Sequence, residues 1–124
     1  MAAVLLVEDE AEVAELIAEA LQDVGLEVTT ALTDQGAYAA LQGERAGAYD
    51  VLITDINLGV GTTGFDVARR ARQLNRRLRV IYITGQAARL DRFGVEEGVM
   101  FPKPFNATEL AEQVKTLLDD ADHA

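Results

Sequence analysis

Val51-Leu52-Ile53-Thr54-Asp55-Ile56-Asn57-Leu58-Gly59 is the stretch that decides the fold of this 124-residue chain. Val51 to Thr54 read as a buried strand. Asp55 follows where that strand ends, and a polar residue and a glycine-containing loop come after it. A carboxylate at such a point is held by the strand behind it and faces the opening above the sheet. In open α/β sheets that edge is where ligands bind. The plainer reading is a turn aspartate, because Asp is common in turns and helix caps. What separates the two readings is which other residues reach the same edge.

Toward the amino terminus, Ala3 to Val7 is a continuous apolar run, as in a strand covered on both faces. It ends in Glu8-Asp9-Glu10. Val13, Leu16, Ile17, Ala20, Leu21 and Val24 then recur at helical spacing, with Glu12, Glu15, Glu19, Gln22 and Asp23 opposite them. Gly25 suits the C-terminal cap of that helix. Leu26 to Ala31 reads as a second strand near a sheet edge. Thr33 or Asp34 can cap a helix through Ala37, Tyr38, Ala40 and Leu41, and Gly43 to Gly47 is a loop.

Toward the carboxyl terminus, Leu58 to Gly64 is glycine-rich and is expected to be mobile. Phe65, Val67, Ala68, Ala71 and Leu74 predict a third helix, and Leu78 to Thr84 a fourth strand. Gln86 to Phe93 is expected as a short helix. Val99 to Phe101 is a fifth strand, closed by Pro102-Lys103-Pro104, where proline fits only the end or edge of a sheet. Asn106 and Glu109 resemble a capping box. Leu110, Val114, Leu117 and Leu118 form the apolar side of the last helix, and Asp119 to Ala124 is expected as an acidic, frayed tail. With no internal repeat or linker, residues 1–124 read as one domain. Strands alternating with helices predict an α/β fold in three layers, with five parallel strands and right-handed crossovers.

Composition excludes several functions. Hydrophobic residues make up 49% of the chain, and there is no cysteine, so disulfides, thiol chemistry and Cys-based zinc sites are ruled out. The one histidine, His123, stands near the terminus, which argues against His-rich metal sites and Ser-His-Asp catalysis. A formal net charge of −10 opposes binding to nucleic acid or anionic membranes. The amino terminus lacks the basic start of a signal peptide, and no stretch could span a bilayer. A soluble, cytoplasmic protein is expected.

Four strand ends bring chemistry to one edge. Glu8 and Asp9 follow the first strand, and Asp55 ends the third with Asn57 two residues on. Thr84-Gly85 ends the fourth and Lys103 follows the fifth. Three adjacent carboxylates repel unless a proton or a cation intervenes. Oxygen donors without Cys or His favour Mg²⁺, which takes one or two carboxylates and keeps several waters. Lys103 and Thr84 suit an incoming phosphoryl oxygen, and Asp55 is the natural nucleophile, forming an acyl phosphate. The turn after the first strand is acidic rather than glycine-rich, which excludes a dinucleotide site. No Gly-Lys-Ser/Thr phosphate loop exists.

In this order, Leu-Leu-Val-Glu-Asp-Glu, the strand-end Asp55, Ile-Thr-Gly and Pro-Lys-Pro-Phe resemble a response regulator receiver domain of two-component systems, from Val4 to about Leu118. The resemblance implies a flavodoxin-like sheet of order 2-1-3-4-5 with five helices. It implies that Asp55 accepts a phosphoryl group from a sensor histidine kinase or histidine phosphotransfer protein. Asp9, Asp55 and the Asn57 backbone carbonyl would hold Mg²⁺, with Glu8 acting through water. Lys103 would pair with the phosphoryl group, and Thr84 would follow it and report phosphorylation to the surface. Asn57 and Gln86 stand where the family tunes dephosphorylation, though Gln86 reads equally well as a helix-cap residue. Nothing is attached beyond the final helix, so a single-domain, chemotaxis-regulator-like protein is expected. Its output would be protein–protein interaction or onward phosphotransfer, and its only catalysis would be its own phosphorylation and dephosphorylation.

Several positions depart from the family pattern. Gly59 replaces the usual proline, and the loop to Gly64 is one residue longer than the family's. Met100 replaces the usual switch aromatic, which leaves Tyr82 as a candidate for that part. The segment from Thr84 to Lys103 is short, so the fourth helix is expected to be abbreviated or disordered. Tyr-Ile-Thr-Gly is similar to the Phe-Ala-Thr-Gly motif of an alphaproteobacterial single-domain subgroup. Arg69, Arg70, Arg72, Arg76, Arg77 and Arg79 read as a solvated face rather than a docking patch, and Met100 as a core residue rather than a redox element. Two alternatives remain open, a pseudo-receiver that binds without being phosphorylated and a small Mg²⁺-dependent phosphohydrolase. The second needs an Asp two residues after the nucleophile, where Asn57 stands.

Overall fold

Apolar runs short enough to cross a sheet once pair side by side as parallel strands. They are β1 (Ala3–Val7), β2 (Glu27–Ala31), β3 (Val51–Asp55), β4 (Arg79–Thr84) and β5 (Gly98–Pro102). The sheet order is β2-β1-β3-β4-β5, the flavodoxin-like arrangement. The computed structural model describes residues 2–43, 47–56, 63–84, 98–102 and 106–123. Within these residues the helices are α1 (Ala11–Asp23), α2 (Asp34–Gln42), α3 (Gly64–Leu74) and α4 (Ala107–His123). The expected short helix over 86–93 and the glycine-rich loop over 58–62 lie outside the described residues.

Alternation along each strand sends side chains into two separate cores. Leu5, Val7, Leu52, Val80 and Tyr82 pack with Ala37 and Leu41 of α2 and with Val67, Ala68 and Ala71 of α3. Val4, Leu6, Val51, Ile53, Ile81 and Ile83 pack with Ala14, Ile17 and Leu21 of α1 and with Leu110, Ala111 and Val114 of α4. Both faces of β1 and β3 are therefore covered, which is why these strands read as unbroken apolar runs. Full burial of each such side chain contributes roughly 1.5–3 kcal/mol relative to exposure. β2 is half-buried over most of its length, as suits its place at the sheet edge.

Local chemistry fixes the helix ends. The Thr33 hydroxyl accepts the Gly36 N–H at 2.9 Å and caps α2. Gly25 takes φ +88°, and its N–H donates to the Gln22 carbonyl beyond the last turn of α1. At α4 the Asn106 side chain accepts the Thr108 N–H at 2.7 Å. α4 continues to His123, through the stretch set apart above as an acidic tail.

Two expectations about packing need correction. Leu16, assigned to the apolar side of α1, is 61% exposed. The residues that face the sheet are Ala14, Ile17 and Leu21, and a period of 3.6 residues carries Leu16 to the opposite side. Leu74 ends α3 and is 37% exposed, past the part of the helix that covers the sheet.

Candidate functional site at the C-terminal edge of the sheet

Val7 pairs with Thr54 in the β1–β3 register. Glu8 therefore leaves β1 at the level where Asp55 ends β3. Asp55 is the last residue of its strand rather than the first residue after it, and it is 7% exposed. Glu8 is fully buried, while Asp9 and Glu10 are exposed. The Glu8 N–H donates to the Ala31 carbonyl at 3.0 Å, and Glu8 Oε1 accepts the Glu10 N–H at 3.2 Å. Carboxylate oxygens of Glu8, Asp9 and Glu10 all lie within 4.8 Å of one another. Glu10, which the sequence reading left out of the site, is thus a third acid of the cluster. It sits there because it is also the residue before α1, whose Ala14 N–H donates to its carbonyl at 2.9 Å.

On the other side of β3, Asp55 pairs with Ile83, and the Ile56 N–H donates to the Ile83 carbonyl at 3.2 Å. Thr84, the last residue of β4, stands one step beyond that pairing, opposite Pro102 at the end of β5. Thr84 thus reaches the same sheet edge as Asp55. Lys103, Asn57 and Gln86 lie outside the described residues. Met100 pairs with Tyr82 across β4 and β5. Tyr82 is 3% exposed and its ring centroid lies 4.8 Å from that of Phe65, tilted by 49°. The facing of Tyr82, which the sequence left open, is toward the α2–α3 core.

Sequence reasoning missed the support beneath Asp55. Thr54 is fully buried, and its hydroxyl donates to the Asp55 carbonyl at 2.9 Å. The Gly64 N–H donates to the Ile56 carbonyl at 2.8 Å. Gly64 had been read as the end of a flexible loop, yet it is buried and is the first residue of α3. The signal that could have found it is Thr63 with Asp66 three residues on, a helix-start pattern. The Asp66 carboxylate accepts the Thr63 N–H at 3.1 Å.

The donor set fits a hard divalent cation, because every candidate ligand atom is an oxygen and most are carboxylate. Chemically, the edge offers two buried carboxylates, Glu8 and Asp55, with the exposed Asp9 and Glu10 clustered about Glu8, at the switch point where the order of a doubly wound sheet reverses about β1 and β3.

That fold and edge define a receiver class of signalling domain, and the sequence agrees over almost its whole length. Residues 4–115 match the response regulator receiver domain, and the chain belongs to that family. It is 35% identical over 117 residues to the transcriptional regulatory protein TcrA of Mycobacterium tuberculosis, covering 92% of this chain and 45% of TcrA. It is 30% identical over 121 residues to the response regulator receiver protein CpdR of Brucella abortus, covering 95% of this chain and 98% of CpdR. Among solved structures it resembles the Thermotoga maritima response regulator TrrA, crystallised in complex with Mg(2+)-BeF. That match has a TM-score of 0.71 at 34% identity, over 94% of this chain and 99% of TrrA. The chain spans about half the length of several of the curated relatives it matches.

Proposed function

We propose that this domain accepts a phosphoryl group on Asp55 in a Mg²⁺-dependent reaction within a two-component phosphorelay. The observation that carries the reading is the nearly buried Asp55 at the end of β3, level with the Glu8-Asp9-Glu10 cluster that follows β1. The donor is a phosphohistidine of a sensor histidine kinase or a histidine phosphotransfer protein. An Asp55 carboxylate oxygen forms a bond to phosphorus, and the phosphorus–nitrogen bond breaks with its electron pair leaving to the imidazole. Water later cleaves the acyl phosphate.

Asp9, Asp55 and the Asn57 backbone carbonyl would hold Mg²⁺, with Glu8 acting through water. When bound, the ion supplies charge neutralisation at the phosphoryl oxygens. Lys103 pairs with the same group, and Thr84 donates a hydrogen bond to it. Asn57 and Gln86 tune dephosphorylation. The protein's catalysis is confined to its own phosphorylation and dephosphorylation, it works in the cytoplasm, and it signals through a protein partner or onward phosphotransfer. A charge of −10 disfavours direct output through nucleic acid.

The test is incubation with Mg²⁺ and acetyl phosphate, followed by mass spectrometry. A labile phosphoryl adduct is expected on the wild type and none on Asp55→Asn. No adduct on the wild type, or an equal adduct on the variant, would overturn the reading.

A further inference from the structure

The backbone of Asp55 is held from below by atoms that do not belong to the acidic cluster. A methyl group built on Gly64 would collide with the Asp55 carbonyl oxygen and come within 3.0 Å of Thr54 Oγ1. The carbonyl cannot move aside by changing rotamer, so either the end of β3 or the start of α3 must shift. α3 has little room to do so. Phe65 meets the buried Tyr82 ring at a tilt, and Val67, Ala68 and Ala71 are packed into the core. The displacement therefore reaches the end of β3, alone or together with the first turn of α3. The same carbonyl accepts the Thr54 hydroxyl at 2.9 Å in a fully buried position, and the next carbonyl, of Ile56, accepts the Gly64 N–H at 2.8 Å. Hydrogen bonds in such a low-dielectric setting hold their groups more firmly than at a surface.

We infer that Gly64 and Thr54 are positioning residues for the phosphoacceptor. They set the place of the Asp55 backbone, and hence of its carboxylate, against the acids that β1 and the start of α1 hold independently. This rests on the function proposed above. A reacting carboxylate displaced by a fraction of an ångström loses its near-attack geometry, and a shift of 1 Å costs on the order of a hundredfold in rate.

Two crossed pairs of variants test this. Gly64→Ala introduces the collision. Ala71→Gly loosens the same helix, by removing a buried methyl two turns from Gly64. Thr54→Val keeps the volume and removes the hydroxyl, whereas Thr54→Ser loses the methyl and keeps the hydroxyl. Initial rates of adduct formation with acetyl phosphate are expected to fall about tenfold or more for Gly64→Ala and Thr54→Val. Ala71→Gly and Thr54→Ser, though less stable, stay within about twofold of the wild type, because their losses are of packing and not of position.

The ¹³C resonance of the Asp55 carboxyl carbon, measured without metal or phosphodonor, is the second readout. It shifts in Gly64→Ala and Thr54→Val only. Rates that follow melting temperature across all four variants would overturn the inference. If the wild type takes no phosphoryl group, the proposed function falls, and the resonance alone decides the positioning. An Asp55 resonance unmoved by Gly64→Ala and Thr54→Val overturns it.

Discussion

At the scale of single residues, burial sorts the acids of this chain into two kinds. Most of the acidic residues whose burial the structure describes are exposed to water. Glu8 and Asp55 are withdrawn from water at the ends of adjacent strands, where a carboxylate is costly unless something polar or charged meets it. Sequence reasoning found both, because an acid directly after an apolar run is conspicuous. It did not find Thr54 or Gly64, whose parts are played toward backbone atoms that pattern cannot display. Nor could it orient Tyr82, since the facing of a strand residue depends on the register of β3 against β4.

Tyr38 offers a separate residue-scale prediction. Burial, then the Asp66 and Asp34 carboxylates, push its phenol above the ordinary value near 10, while Arg69 pulls the other way. The folded state therefore keeps its proton when the unfolded state has lost it. The associated stability is fully present below about pH 10 and is lost as pH rises through the raised value. A titration followed at 295 nm should show a late-ionising component that Tyr38→Phe removes, and the same variant should flatten the alkaline fall in melting temperature.

At the scale of elements, legibility depended on how many neighbours each element has. β1 was read with its observed bounds because both of its faces are covered. β2 and β4 each proved one residue shorter at the start than expected, and β3 and β5 proved longer, the usual imprecision where strands meet turns. α1 was placed correctly while Leu16 was not, since one exposed leucine looks the same in sequence as a buried one. The helix end at Gly25 was legible, and the structure gives the reason in its φ of +88°. Gly25→Ala meets no neighbouring atom, so its cost is purely conformational. Denaturant unfolding should show a loss of about 1 kcal/mol, with an unchanged slope against denaturant.

At the scale of the molecule, Glu8, Asp9, Glu10 and Asp55 gather at one end of the sheet and arginines at α3 and the turn after it. Arg69, Arg70, Arg76, Arg77 and Arg79 are exposed, and Arg70 Nη1 donates to Gln73 Oε1 on its own helix at 3.1 Å. That accords with a solvated face. No helix among the described residues is long and apolar enough to cross a membrane. The clustered acids lead to a thermodynamic prediction. Mg²⁺ at about ten times its dissociation constant should add roughly 1.4 kcal/mol to the folded state, a rise of a few degrees in melting temperature for a domain of this size. Excess chelator should reverse the rise, and Asp9→Asn should abolish it. A flat Mg²⁺ titration would count against a preformed acidic site.

The hydrogen bond from Gly64 to Ile56 bears on how such a chain can change over generations. It ties together the two ends of the segment 57–63, so residues can be added or lost between them without altering where the chain leaves β3 or enters α3. Closing a loop that is one residue longer costs very little conformational entropy. An extra residue between Asp55 and Gly64, as the sequence leads one to expect, would therefore cost the scaffold little, and length variants at this point are a permissive way to graft a new recognition segment beside Asp55.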